Sequence, residues 1–155
     1  RAEKGVRMHT DQFHPEGPDN LLITSVDAAL AGQNTLLAAE SLGYGGVIIG
    51  LVRYQASEVA KLFNLPDYTY PVFGMALGVP NQNHPVKPRL PLEAVVFEES
   101  YQVQTPEVIE AFDQVQTAYA GARATDTWSQ RLAAQFGQEE PVATAELLKK
   151  HQLEK

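Results

Sequence analysis

Residues 20–52 read NLLITSVDAALAGQNTLLAAESLGYGGVIIGLV, and the order of elements inside this stretch decides the fold. Apolar residues at Leu22, Ile23, Val26, Ala29, Leu30, Leu36, Leu37, Ala39 and Leu42 recur at mostly helical spacing with a broad apolar face. The pattern predicts a helix of about 22 residues, near 33 Å long at the usual rise per residue. Asp19 or Asn20 can cap its start, and Gly43 can take the left-handed position at its end. Such a helix is the expected spine of the domain. Its alanines and Gly32 form a small-residue surface that a second helix could approach closely, so a dimer seam stands beside an ordinary core helix as a use for it. The following GGVIIGLV, residues 45–52, is a β-branched run bounded by glycines and predicts a buried strand. A dinucleotide fingerprint needs strand, then glycines, then helix. Here the order is helix, glycines, strand, and that reading fails. Gly50 is a separate matter, because a glycine within a strand often lets a ligand or another backbone come close.

Working outward, SEVAKLF predicts a short helix starting near Ser57, with Pro66 beyond it, and YPVFGMALGVP (70–80) a second strand. NQNHPVKPRLP is a loop dense in Asn and Pro, and EAVVFEE a third short strand. Helices are expected over 106–120, roughly 128–136 and 142–150, the last following Pro141, with GARATD as the loop between the first two. Interleaved strands and helices favour a mixed, layered domain. With 155 residues, 44% of them hydrophobic, the chain is long enough for one domain and short for two.

A formal net charge of -7 argues against a general nucleic-acid or membrane-surface binder, since such proteins need a positive field. No apolar run is expected to reach the length of a membrane span. The chain has no cysteine, which removes disulfides and thiolate chemistry and suits a cytoplasmic protein. It opens on Arg1 with twenty largely polar residues, and is expected to be a fragment lacking its N-terminal part. The four histidines, His9, His14, His84 and His151, have no metal-ligand spacing and read as solvated or loop residues. No nucleophile elbow, phosphate loop or zincin motif is present, so hydrolase chemistry has no visible carrier. DTWS (126–129) reads as a helix start, with Asp126 or Thr127 as cap and Trp128 as a packing anchor.

One cationic feature stands out in this acidic chain. In PVKPRLP (85–91), Pro88 separates Lys87 from Arg89 and restricts their relative directions. Arg can fork onto phosphate oxygens while Lys adds a point charge, so the pair suits a phosphate monoester. A solvated loop with two ordinary surface charges is the alternative, and spacing alone leaves both open.

Taken in order, the segments DAALAGQNTLLAAESLGYGGVIIGLVR, LFNLPDYTYPVFGMALGVPNQ, KPRLPLEAVVFEESYQ and DTWS closely resemble the C-terminal two-thirds of the FMN-dependent NADPH nitroreductase/flavin reductase family, of the oxygen-insensitive major-nitroreductase type. The likeness runs from about Ser25 to Ser129. It implies an α+β nitroreductase-like fold, a mixed sheet wrapped by helices, in an obligate homodimer with FMN in each interface cleft. It further implies that Ile48, Ile49, Gly50 and Leu51 face the isoalloxazine through their backbone, and that Lys87, Pro88 and Arg89 hold the flavin phosphate.

The chain also departs from the family pattern. A His-Arg-Ser-x-Arg phosphate motif and a serine-rich flavin loop, which the family carries near its N-terminus, are not found here. Leu51 stands where close relatives usually have a second glycine, and Ile48 replaces an aromatic. The stretch before DTWS is shorter than the loop that helps hold the NADPH phosphate in relatives, and Arg123 is the candidate left in it. The resemblance implies hydride transfer from NADPH through FMN to a nitroaromatic, a quinone or free flavin, by a ping-pong mechanism, with no side-chain acid or base and no metal. Two other readings remain: a non-catalytic dimerisation or flavin-binding fragment of such an enzyme, and a general module for phosphorylated ligands.

Overall fold

A computed structural model of the chain describes residues 1–137 and 142–153. They gather into two compact units, one of Arg1–Gln82 with the C-terminal helix, the other beginning at Asn83.

The first unit is built on helix α2, Pro18–Ser41. It follows a short helix α1, Ala2–Arg7, that the polar N-terminus did not announce. Proline occupies the first turn of α2, where its missing N–H costs nothing, and Gly17, at φ 115°, is the N-cap in place of the expected Asp19 or Asn20. Asn20 is instead one turn inside and donates to the carbonyl of His14 at 3.1 Å. At the other end Gly43, at φ 83°, takes the left-handed position as expected.

Strand β1, Gly45–Ile49, pairs antiparallel with β2, Gly74–Gly78, in the register Gly45 to Gly78 and Ile49 to Gly74. Among the described residues the sheet has these two strands alone, where a mixed sheet was expected. Both strands are shorter than their apolar runs. β1 stops at Ile49, and Gly50–Gln55 continues as a 3-10 helix. That run was expected to be a buried strand, yet Val47, Ile48, Ile49 and Leu51 are exposed, because strand side chains stand on the faces of the sheet and the packing of α2 on β1 leaves these uncovered. Helix α3, Ala56–Leu62, follows the 3-10 helix. Helix α6, Val142–Lys150, packs against α3 and the 3-10 helix, burying Leu147 with Ala56 and Ala60 under Leu65 and Tyr70. Pro141, the expected boundary of α6, lies outside the described residues. His151, expected to be solvated, is 5% exposed, with Nδ1 2.8 Å from the carbonyl of Thr69.

α2 packs on both strands. Gly32 is where that contact is closest: a Cβ there would stand 2.4 Å from Cζ of Phe73. The small-residue seam at Gly32 is thus filled by the chain's own Phe73 and is closed to a second helix. A different stripe of α2 faces outward. Leu22, Ile23, Val26, Leu30 and Leu37 are 45–62% exposed, and at 3.6 residues per turn they fall within an arc of about 100°. Against the expectation that no apolar run reaches the length of a membrane span, α2 is long and apolar enough to do so by length and composition, at mean hydropathy 1.2 over its most apolar window. Asp27, Gln33 and Asn34 interrupt it midway, and its inner face is committed to the sheet.

The second unit holds α4, Pro106–Ala120, and α5, Trp128–Phe136, packed on each other. The expected third strand at 93–99 does not form. Leu92–Ala94 is a 3-10 turn, the segment after it is irregular, and Val95 and Val96 are exposed. A β-branched run becomes a strand only where an edge is there to pair with it, and this unit offers none among the described residues.

Candidate functional site

The residues singled out in the sequence fall on three pieces of backbone, the 48–51 segment in the first unit and the 87–89 and 121–126 segments in the second.

In the first, Ile48 and Ile49 end β1, and Gly50 and Leu51 open the 3-10 helix. Ile48 and Leu51 are 42% and 71% exposed. Gly50 is not inside a strand, and its bare face is partly spoken for. A Cβ at Gly50 would stand 3.3 Å from Nη1 and 3.4 Å from Nη2 of Arg53. Residues i and i+3 eclipse in a 3-10 helix, which brings the Arg53 side chain back over Gly50. Arg53 Nη1 donates to the carbonyl of Val72 at 2.8 Å.

In the second, the Lys87-Pro88-Arg89 loop is fastened to α4. Gln116, 6% exposed, donates from Nε2 to the carbonyl of Pro88 at 3.0 Å, and Tyr119 donates its hydroxyl to the carbonyl of Pro85 at 3.3 Å. These two residues lie one turn apart on α4, so one helix face holds the loop. Arg89 Nη1 donates to the carbonyls of Lys87 and Pro88, at 3.1 and 3.3 Å. Lys87 is exposed, and among the described residues neither cation makes an ion pair. Beside Arg89 lies an open hollow of about 480 Å³ lined also by Pro91, Glu93, Glu107, Phe112 and Val115. Glu107 is held below its ordinary pKa by the Thr105 hydroxyl and by its own backbone N–H, so it is charged at neutral pH. Neither it nor Glu93 reaches Arg89 closely enough to pair.

In the third, Arg123 ends a 3-10 turn, Gly121–Arg123, and is exposed, its Nε donating to the carbonyl of Ala120 at 3.4 Å. Thr127 caps α5 in a capping box with Gln130, and Trp128 meets Phe112 edge to face with ring centroids 5.0 Å apart. Both match the reading of DTWS. Asp113 was not foreseen: its carboxylate accepts from Ser129 N at 2.8 Å and from Ser129 Oγ at 2.5 Å, tying α5 to α4. The Ser129 hydroxyl, more than any other contact, holds the Asp113 pKa below the usual carboxylate range.

The donor chemistry fits a flavin phosphate, since an ammonium and a guanidinium with no acid partner flank a rigid proline on a braced loop. Nothing in the sequence marked Gln116, Tyr119 or Arg53, because each contributes through a contact to backbone distant in the chain.

Residues 6–79 match the Nitroreductase family, and residues 87–155 match the Nitroreductase family, C-terminal domain. The chain belongs to the nitroreductase family. Among curated relatives it is 39% identical over 138 residues to a Cr(VI) reductase of Pseudomonas sp. (strain G-1), covering 86% of this chain and 57% of that protein. It is 44% identical over 122 residues to the NADPH-flavin oxidoreductase of Vibrio harveyi, covering 76% and 51%. Among solved structures, nitroreductase A from Vibrio parahaemolyticus superposes with a TM-score of 0.87 at 38% identity, covering 97% of this chain and 63% of that one. The NADPH:FMN oxidoreductase from Vibrio harveyi complexed with NAD+ superposes with a TM-score of 0.85 at 37% identity, again covering 97% and 63%. These solved neighbours bear out the nitroreductase-like α+β fold, and the chain spans about half to two thirds of the relatives' length.

Proposed function

We propose that this chain is the part of an FMN-dependent NAD(P)H oxidoreductase that carries the flavin-phosphate clamp and one wall of the isoalloxazine site. The observation that carries the reading is the Lys87-Pro88-Arg89 loop, rigid, braced by Gln116 and bearing two cations without acid partners in an acidic protein. Lys87 and Arg89 would bind the phosphate. The backbone of Ile48, Ile49, Gly50 and Leu51, half-covered at Gly50 by Arg53, would lie along the isoalloxazine and offer N–H groups where charge develops. FMN, when bound, supplies the hydride chemistry, alternating between NADPH and a nitroaromatic, a quinone or free flavin in a ping-pong cycle. Arg123, exposed on its short turn, is assigned to the NADPH phosphate. The exposed stripe of α2 is assigned to a second copy of the chain in a homodimer, since apolar surface of that extent on one helix face needs a cover. The absence of cysteine agrees with a cytoplasmic setting.

The test is the double variant Lys87→Ala with Arg89→Ala. Each charge-assisted hydrogen bond to phosphate contributes about 1.5 to 3 kcal/mol, so the pair should weaken FMN binding by more than a hundredfold while thermal unfolding shifts little. Flavin fluorescence quenching measures the first and circular dichroism the second. Undiminished FMN affinity would overturn the clamp, and a colourless chain that takes up no FMN would favour a non-catalytic dimerisation fragment.

A further inference from the structure

The segment from Gly45 to Gln55 carries a single charged side chain, Arg53. Its guanidinium is laid on Gly50, 3.3 and 3.4 Å from where a Cβ would be, and Nη1 is tied to the carbonyl of Val72 at 2.8 Å. The Arg53 carbonyl accepts from Thr144 Oγ1 at 3.1 Å, so the residue is held at its backbone as well as at its tip. Among the described residues no carboxylate lies within 4.0 Å of it. Its guanidinium ends on a neutral carbonyl and keeps its charge beside the end of β1.

We infer that Arg53 is a specificity-determining residue of the flavin site, a fixed positive charge laid on Gly50 that favours reduced, negatively charged FMN over oxidised FMN, whose ring is neutral. The inference rests on the reading that places the isoalloxazine along Ile48 to Leu51. Its signature is distinct from that of the clamp. The phosphate carries the same charge in both redox states, so Lys87 and Arg89 strengthen both complexes alike, whereas a cation at the ring changes the ratio between them. A merely structural arginine would also act on both alike, through folding.

The experiment measures dissociation constants of the 155-residue chain for oxidised FMN and, under anaerobic conditions, for dithionite-reduced FMN by calorimetry. Arg53→Met is expected to cut the preference for reduced FMN about fivefold, the scale of one solvent-screened ion pair, which equals a midpoint potential about 20 mV more negative for a two-electron couple. Arg53→Lys is expected to retain most of the preference. Arg53→Gln, which keeps a donor for the Val72 carbonyl, is expected to behave as Arg53→Met and carries the test if that variant fails to fold. An unchanged ratio in the neutral variants, or equal loss for both redox forms, would overturn the inference while leaving the clamp intact. An unsubstituted chain that binds neither form would overturn the proposed function and the role of Arg53 together.

Discussion

Gly32 illustrates how one residue can mislead when read in line and inform when read in space. In a helix interior glycine is worth about 1 kcal/mol less than alanine, so an isolated glycine there calls for a reason. The reason is Phe73, whose ring tip would lie 2.4 Å from a Cβ at this position. Gly32→Ala should therefore lower stability, by up to about 2 kcal/mol net of the propensity gain, because overpacking of a fitted contact typically costs about 1 to 3 kcal/mol against a gain of about 1. Thermal unfolding followed by circular dichroism checks it, and Phe73→Leu in the same chain should recover most of the loss. A Gly32→Ala variant as stable as the parent would mean that Phe73 moves aside freely. Gly50 follows the same logic with a different neighbour, a charged group in place of a ring.

At the scale of elements, the helices expected over 106–120, roughly 128–136 and 142–150 are found at Pro106–Ala120, Trp128–Phe136 and Val142–Lys150. Helical hydrogen bonds close within four residues, so local pattern and caps suffice to mark such segments. Strands depend on partners, and the three strand readings fared worse: two were shortened and the third dissolved into a 3-10 turn. The junction of α4 with α5 yields a pH prediction. Asp113 has a depressed pKa, so the stabilisation it gives the junction is fully present above the ordinary carboxylate value, about 3.9, and is lost as pH falls through its lower folded value. Trp128 is the only tryptophan in the chain and touches Phe112, next to Asp113. Its fluorescence should hold steady down to about pH 4 and change below it. Asp113→Asn, which can still accept from Ser129 N, should blunt that acid change. An identical acid limb in the variant would assign it to other carboxylates.

For the whole molecule the informative quantity is surface. Along α2, Leu22, Ile23, Val26, Leu30 and Leu37 are 45–62% exposed, a contiguous apolar stripe of the kind that marks an interaction surface. If this stripe closes on a second copy as proposed, Leu30→Glu with Leu37→Glu should convert dimers into monomers, because two charges placed on an apolar seam remain unpaired when it closes. Sedimentation velocity reads this directly, and a parent chain that is monomeric across the accessible concentration range would remove the dimer from the account. The family was legible because its ordered motifs survive in GYGGVIIGLVR, KPR and DTWS. The bracing of the site was not, because Gln116 on Pro88 and Arg53 on Val72 join residues 28 and 19 positions apart.

By itself the sequence determined the family, the long helix and its glycine stop, the capped start of α5, and the proline-locked pair of cations, since each is written in local spacing and backbone restriction. Only the tertiary structure decided which strands find partners, which face of α2 is filled by Phe73 and which is left open, and which side chains hold the candidate site in place. The physical reason is that pairing, burial and hydrogen bonding between distant residues depend on what lies alongside, and one-dimensional order does not contain that.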